Sequence, residues 1–118
     1  MLNLLRDRLR HWLSTEPSAP SYMIYLGRNV PENSSVEFEY VTTTMFRSFL
    51  AEQPYFDSFT VWNAQGAWRD EFENTFVVEV FDTDFDIIEM FAQLYIDYFN
   101  QEAVYIKISY TQTKLIER

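Results

Sequence analysis

The stretch 56–82 constrains this chain more than any other, because it concentrates β-branched and aromatic residues into two short runs bounded by turn-forming residues. The runs 56–63 and 74–82 read as two β-strands, joined by a connection containing Asn63-Ala64-Gln65-Gly66-Ala67-Trp68. A pair of such strands is the middle of a sheet, and the rest of the chain must supply neighbours and a cover for it.

The flanking segments provide both. Residues 21–26 alternate and form a first strand that ends at Gly27. Ser34, with Glu37 three residues on, makes a capping box and predicts a helix running to about Gln53, with Phe38, Val41, Met45, Phe49 and Leu50 on its buried arc. The run Thr42-Thr43-Thr44 lowers the intrinsic helix propensity there, so packing must hold this helix. Thr83 or Asp84 caps a second helix to about Asn100, whose apolar arc holds Ile87, Ile88, Met90, Phe91, Leu94, Tyr95, Tyr98 and Phe99. The last strand covers 102–114, with Val104, Ile106 and Ile108 on one side and Tyr105, Lys107 and Ser109 on the other.

In front of these elements, Leu2, Leu5, Leu9, Trp12 and Leu13 fall on one stripe of a helix over 1–14, with Arg6, Arg8 and Arg10 elsewhere. Charges interrupt every apolar run in that segment, so it reads neither as a secretory signal nor as a membrane span. Its small positive charge gives only marginal affinity for a membrane surface, and docking against the acidic remainder of the chain explains it more simply. The segment 14–20, with Pro17 and Pro20, reads as a linker. The organisation is therefore an amphipathic helix and linker over 1–20, followed by one α+β domain over 21–118. Right-handed crossovers bring both helices of the β-α-β-β-α-β order onto one face of a four-stranded antiparallel sheet, the ferredoxin-like split βαββαβ arrangement.

The hairpin also resembles a known family. Phe59-Thr60-Val61-Trp62-Asn63-Ala64-Gln65-Gly66-Ala67-Trp68-Arg69, followed by Asn74-Thr75-Phe76-Val77-Val78-Glu79-Val80, is similar to a small bacterial domain family of unknown function. That family has a strand, an Ala-Gln-Gly turn, a Trp-Arg pair and an aliphatic strand. The resemblance spans about a quarter of the chain, implies a ferredoxin-like fold and carries no catalytic residue over.

Charge narrows the function. The net charge is -9, and between residues 70 and 102 there are Asp70, Glu71, Glu73, Glu79, Asp82, Asp84, Asp86, Glu89, Asp97 and Glu102 without a single Lys or Arg. A field of that sign repels phosphate backbones, so no direct nucleic-acid partner is expected. The chain has no cysteine, which removes disulfides, thiolate nucleophiles and Cys-bound metal sites and fits a reducing, cytoplasmic location. With two glycines there is no phosphate-cradling loop, and the one histidine, His11, lies on the polar side of the first helix. Asp82, Asp84, Asp86 and Glu89 suggest a calcium loop, but Ile87 stands where the turn glycine is required and the closing glutamate is missing. Acidic residues at a helix N-terminus explain this group as caps. No cofactor, metal ligand or catalytic residue is assigned.

Alternation sorts the two faces of the sheet. Ile24, Leu26, Phe59, Val61, Phe76, Val78, Val80, Val104, Ile106 and Ile108 are expected under the helices. The opposite face then carries Met23, Tyr25, Thr60, Trp62, Val77, Glu79, Phe81, Tyr105, Lys107 and Ser109. Four aromatics at about 150–250 Å² each exceed the few hundred Å² that a soluble monomer leaves as one apolar patch. Tyr25, Trp62, Glu79, Phe81, Tyr105 and Lys107 are therefore the candidate partner-binding residues, and the cover is the N-terminal helix, a second copy or another protein. RNA-recognition domains of this topology stack bases on the same face, but the third strand here lacks their basic-Gly-aromatic opening and has Glu79 at its centre. The expected function is that of a small acidic, non-catalytic interaction protein, an adaptor or a compact inhibitor of bacterial or phage type, binding through this face or through its acidic surface. The alternative is a small-molecule-binding or enzymatic dimer with Glu79 as base and Tyr25, Tyr105 and Lys107 beside it in a pocket at the sheet face.

Overall fold

In the computed structural model of this chain, residues 20–31, 40–53, 55–110 and 112–118 are described. The expected N-terminal helix, its linker as far as residue 19, and His11 lie outside the described residues, as do Ser34 and Glu37. Strand β1 (Pro20–Gly27) is followed by helix α1 (Thr43–Glu52), β2 (Thr60–Trp68), β3 (Glu71–Phe81), helix α2 (Phe85–Phe99) and β4 (Tyr105–Tyr110). The strands form one antiparallel sheet in the order β2-β3-β1-β4, so the fold is α+β, with two helices and four strands among the described residues.

Period-two alternation in β1 sets the layers. Tyr22, Ile24 and Leu26 are buried, and the residues between them are only half-buried. Register carries the same side outward, since Ile24 stands opposite Val78 of β3 and Ile106 of β4, and Val78 opposite Val61 of β2. Both helices lay their apolar residues on that side, where Phe46 and Phe49 of α1 and Ile88, Phe91, Tyr95 and Phe99 of α2 join Ile24, Leu26, Phe76, Val78 and Val80 in one core. Phe49 sits at its aromatic centre, with the rings of Phe91, Tyr95, Tyr98 and Phe99 at centroid distances of 5.4 to 5.8 Å. Of the side chains expected under the helices, Val61, Val104 and Ile106 are partly buried, while Phe59, just before β2, and Ile108, on an edge strand, stay partly exposed.

The helix ends divide into one that matches expectation and one that does not. Asp84 is the N-cap of α2 and Asn100 its left-handed C-cap at φ 50°, although the Asp84 carboxylate makes no capping hydrogen bond. Helix α1 begins later than the Ser34-Glu37 pattern predicts. Tyr40 forms a β-bridge with Asn29, the Val41 N–H donates to the Arg28 carbonyl at 2.8 Å, and the Thr42 hydroxyl accepts from the Met45 N–H at 3.1 Å as the true N-cap. Val41 is thus core without being helical, and the first threonine of the run starts the helix rather than weakening its middle.

The hairpin turn also differs from expectation. Ala64, Gln65, Gly66 and Ala67 lie inside β2, paired with Thr75, Asn74, Glu73 and Phe72. The turn residues are Arg69 and Asp70, both at positive φ, 50° and 66°, which is the two-residue geometry whose twist matches the flanking strands. Asp tolerates this region because its short polar side chain bonds locally, whereas Arg gives no sequence signal for it. The likeness to a strand, turn and Trp-Arg motif therefore falls on one long strand and its turn.

No helix among the described residues is long and apolar enough to cross a membrane. Truncating the aromatic centre and removing the cap should separate clearly in size. Phe49→Ala is expected to cost about 3–5 kcal/mol and Thr42→Ala about 1 kcal/mol in urea unfolding; a Thr42→Ala chain as stable as the parent would move the helix start back toward residue 34.

Candidate functional site

The side of the sheet turned away from the helices is built in rows, one residue from each strand. The first reads Trp62, Val77, Tyr25 and Tyr105, across β2, β3, β1 and β4. Alongside it runs Thr60, Glu79, Met23 and Lys107. Phe81, Ser21 and Ser109 continue the face on three strands. The parity expected from the sequence holds: none of Tyr25, Trp62, Phe81 and Tyr105 belongs to the core under the helices.

Exposure distinguishes the middle of the face from its margins. Tyr105 is 65% exposed, Phe81 41% and Trp62 38%, while Val77, flanked in register by Trp62 and Tyr25, is only 3% exposed. The centre is thus buried, and the rings around it remain exposed. Tyr25 is half-buried and its hydroxyl reaches only the Met23 sulfur, at 3.5 Å. That contact is weak, so the phenol keeps capacity to donate and accept.

Glu79 and Lys107 are brought to the same row but not together. Each is opposite Met23, Glu79 from β3 and Lys107 from β4, because β1 runs between those strands. Two strand spacings, about 10 Å, separate their backbones. Neither forms an ion pair with a described residue, whereas Arg69 and Glu102 approach to 3.4 Å in an exposed contact. A cross-strand Glu79–Lys107 pair, which alternation alone suggests, is therefore replaced by two separate charges of opposite sign on an otherwise apolar and hydroxyl-bearing surface. For recognition the two form a charge pattern.

The acidic group at the start of α2 separates in the fold. Asp82 sits at positive φ just after β3, Asp84 is the N-cap, and Asp86 lies in the first helical turn. Among the described residues no group of three or more His, Asp or Glu side chains is placed to hold a metal ion.

One end of the face holds residues that sequence reasoning missed. Glu73 turns its carboxylate over Gly27, where a Cβ would lie 2.6 Å from Oε1, and Oε2 accepts from the Asn29 N–H at 3.3 Å. A side chain at position 27 would push the carboxylate aside, and a glycine at the end of a strand is the available signal for such an approach. On the helix side of the same peptide the Tyr95 hydroxyl donates to the Gly27 carbonyl at 2.7 Å, and burial pushes that phenol far above its usual titration range. Arg28, next in the chain, is buried. Its Nε donates to the Val41 carbonyl and its Nη1 to Asn63 Oδ1, both at 2.9 Å, and its guanidinium lies over the rings of Phe76 and Tyr40 at 4.1 and 4.6 Å. The sequence carries no signal for this role, which depends on β1, β2, β3 and the 40–41 bridge meeting at one point.

No protein-family model, curated protein or solved structure matches this chain.

Partial burial raises the Glu73 carboxyl above its ordinary value of 4.5, with Glu71 and Glu102 adding repulsion and the Asn29 N–H opposing the shift. A raised folded-state value means the folded chain holds this proton more tightly than the unfolded one, so its contribution falls as pH climbs past 4.5. Glu73→Gln keeps an acceptor for Asn29 and removes the charge. Thermal midpoints should coincide near pH 4 and favour the variant at pH 7; a variant less stable at pH 7 would show that the carboxylate is held for its charge.

Proposed function

We propose that this chain is a small, acidic, non-catalytic interaction module of ferredoxin-like fold, which binds a protein surface through the open face of its sheet. The strand order β2-β3-β1-β4, with every neighbouring pair antiparallel, supports the ferredoxin-like reading. The observation that carries the function is the row Trp62, Val77, Tyr25 and Tyr105, which sets three aromatic rings, on β2, β1 and β4, across the side turned away from the two described helices. Trp and Tyr are the residues whose truncation costs most at protein interfaces, since they offer large rigid area with one polar tip. Glu79, Lys107 and Phe81 then frame the band and set orientation more than affinity.

The enzymatic alternative draws less support. A catalytic Glu79 needs a polar neighbour within hydrogen-bond reach, and the register sets Lys107 two strands away.

The test uses the full chain carrying a photo-cross-linking amino acid at position 62 or, as control, at the exposed position 93 of α2. Protein adducts, with itself or with another chain, are expected from 62 and not from 93. Adding Tyr105→Arg should remove them while the thermal midpoint stays within about 2–4 °C, the shift that about 1 kcal/mol or less produces. Equal adducts from both positions, or none from 62, would overturn the proposal.

A further inference from the structure

The open face asks for a partner whose chemistry matches a flat aromatic band with one acid and one base beside it. Resting on the reading of that face as an interaction surface, we infer that its occupant is a second copy of this chain, related by a two-fold axis that runs along β1 between the two sheets.

Charge gives the first argument. The chain carries -9 overall, so two copies can approach closely only through a surface of low net charge. The two central rows provide one: Glu79 and Lys107 are their only charged residues, Glu73 lies at the Gly27 end of the face, and Asp82, Asp84, Asp86, Glu89 and Asp97 fall in or around α2. A partner chosen for strong opposite charge would instead be drawn to that acidic side.

Symmetry gives the second. A two-fold interface must be complementary to itself, each residue meeting a residue that meets it in return. Glu79 and Lys107 lie in one row, one strand to either side of Met23. Rotation about an axis along β1 exchanges the two sides of that strand. It places Glu79 of each copy over Lys107 of the other, Met23 over Met23 and Tyr25 over Tyr25, with Val77 beneath Tyr105. An axis across the strands would set Glu79 on Glu79 and Lys107 on Lys107. The positions of two charges thus select one of the two ways in which sheets can stack face to face in aligned packing.

Area gives the third. Four strands at about 4.8 Å and eight residues at about 3.3 Å define a plane of about 500 Å², and protruding rings raise its accessible area toward the ~800 Å² per partner of a standard interface. Trp62, on the edge strand β2, then overhangs the Tyr105 edge of the other copy.

Sedimentation equilibrium on the full chain reads this directly. The parent should be a dimer, Glu79→Lys and Lys107→Glu should each weaken association at least about tenfold by setting like charges face to face, and an equimolar mixture of the two variants should recover a heterodimer. A second probe does not depend on those variants folding well. The chain is free of cysteine, so Met23→Cys introduces a single thiol at the axis. A bis-maleimide long enough to span two sheets about 10 Å apart should link it into a dimer, whereas Gln93→Cys should not.

A monomeric parent, single variants that associate as tightly as the parent, a mixture without heterodimer, or a Met23→Cys chain that stays unlinked would each overturn the inference. A monomeric parent that still forms adducts at position 62 with a different protein sinks self-pairing alone. A monomer with no adducts there sinks the interaction surface as well.

Discussion

Strand β1 lies between β3 and β4 with the helix layer below, and its alternation decides what its neighbours must do. Tyr22, Ile24 and Leu26 point into the core, so Met23 and Tyr25 point away from it. Because β3 and β4 pair with β1 in fixed register, this one choice propagates to Val78, Val80 and Ile106 on the one side and to Val77, Glu79, Tyr105 and Lys107 on the other. A one-residue slip of β1 would exchange both sets at once. The helices secure the choice: the rings of α1 and α2 interlock around Phe49 and cover only the even-numbered side of β1 and β3.

The two sides are tied together at the end of β1. The Gly27 carbonyl accepts from the Tyr95 hydroxyl of the helix layer, Glu73 closes over Gly27 from the other side, and Arg28 then reaches the Val41 carbonyl and, across the sheet, Asn63 on β2. A buried guanidinium held by a carbonyl, an amide oxygen and two ring faces gains planar stacking that an ammonium would not. It fixes the length of β1 and the start of α1 in one place, and so fixes where the open face ends.

How much of this was legible in the sequence follows from how local each signal is. Parity was legible, since apolar alternation in 21–26 and 76–80 needs no knowledge of neighbours, and the candidate residues Tyr25, Trp62, Glu79, Phe81, Tyr105 and Lys107 do share the uncovered face. The bounds of α2 were legible because Asp84 and Asn100 are strong end signals around a long periodic run. The start of α1 was not, because two capping patterns compete and the chain bridges to Asn29 at Tyr40, just before the Thr42 cap. The turn was misplaced because Gly66 is the stronger turn residue, while the positive-φ pair is Arg69 and Asp70. The separation of Glu79 from Lys107 needed the strand order as well as the parity, and the cluster around Arg28 needed the whole fold.

The central claim is that the uncovered aromatic side of this sheet is closed reversibly by another molecule of the same chain. Hydroxyl-radical footprinting of Trp62, Tyr25 and Tyr105 across a dilution series tests it most directly. The account predicts protection at high concentration that is lost together at all three residues on dilution, while the oxidation of Met90 on α2 stays constant. Full reactivity at every concentration, or protection that survives indefinite dilution, would contradict it.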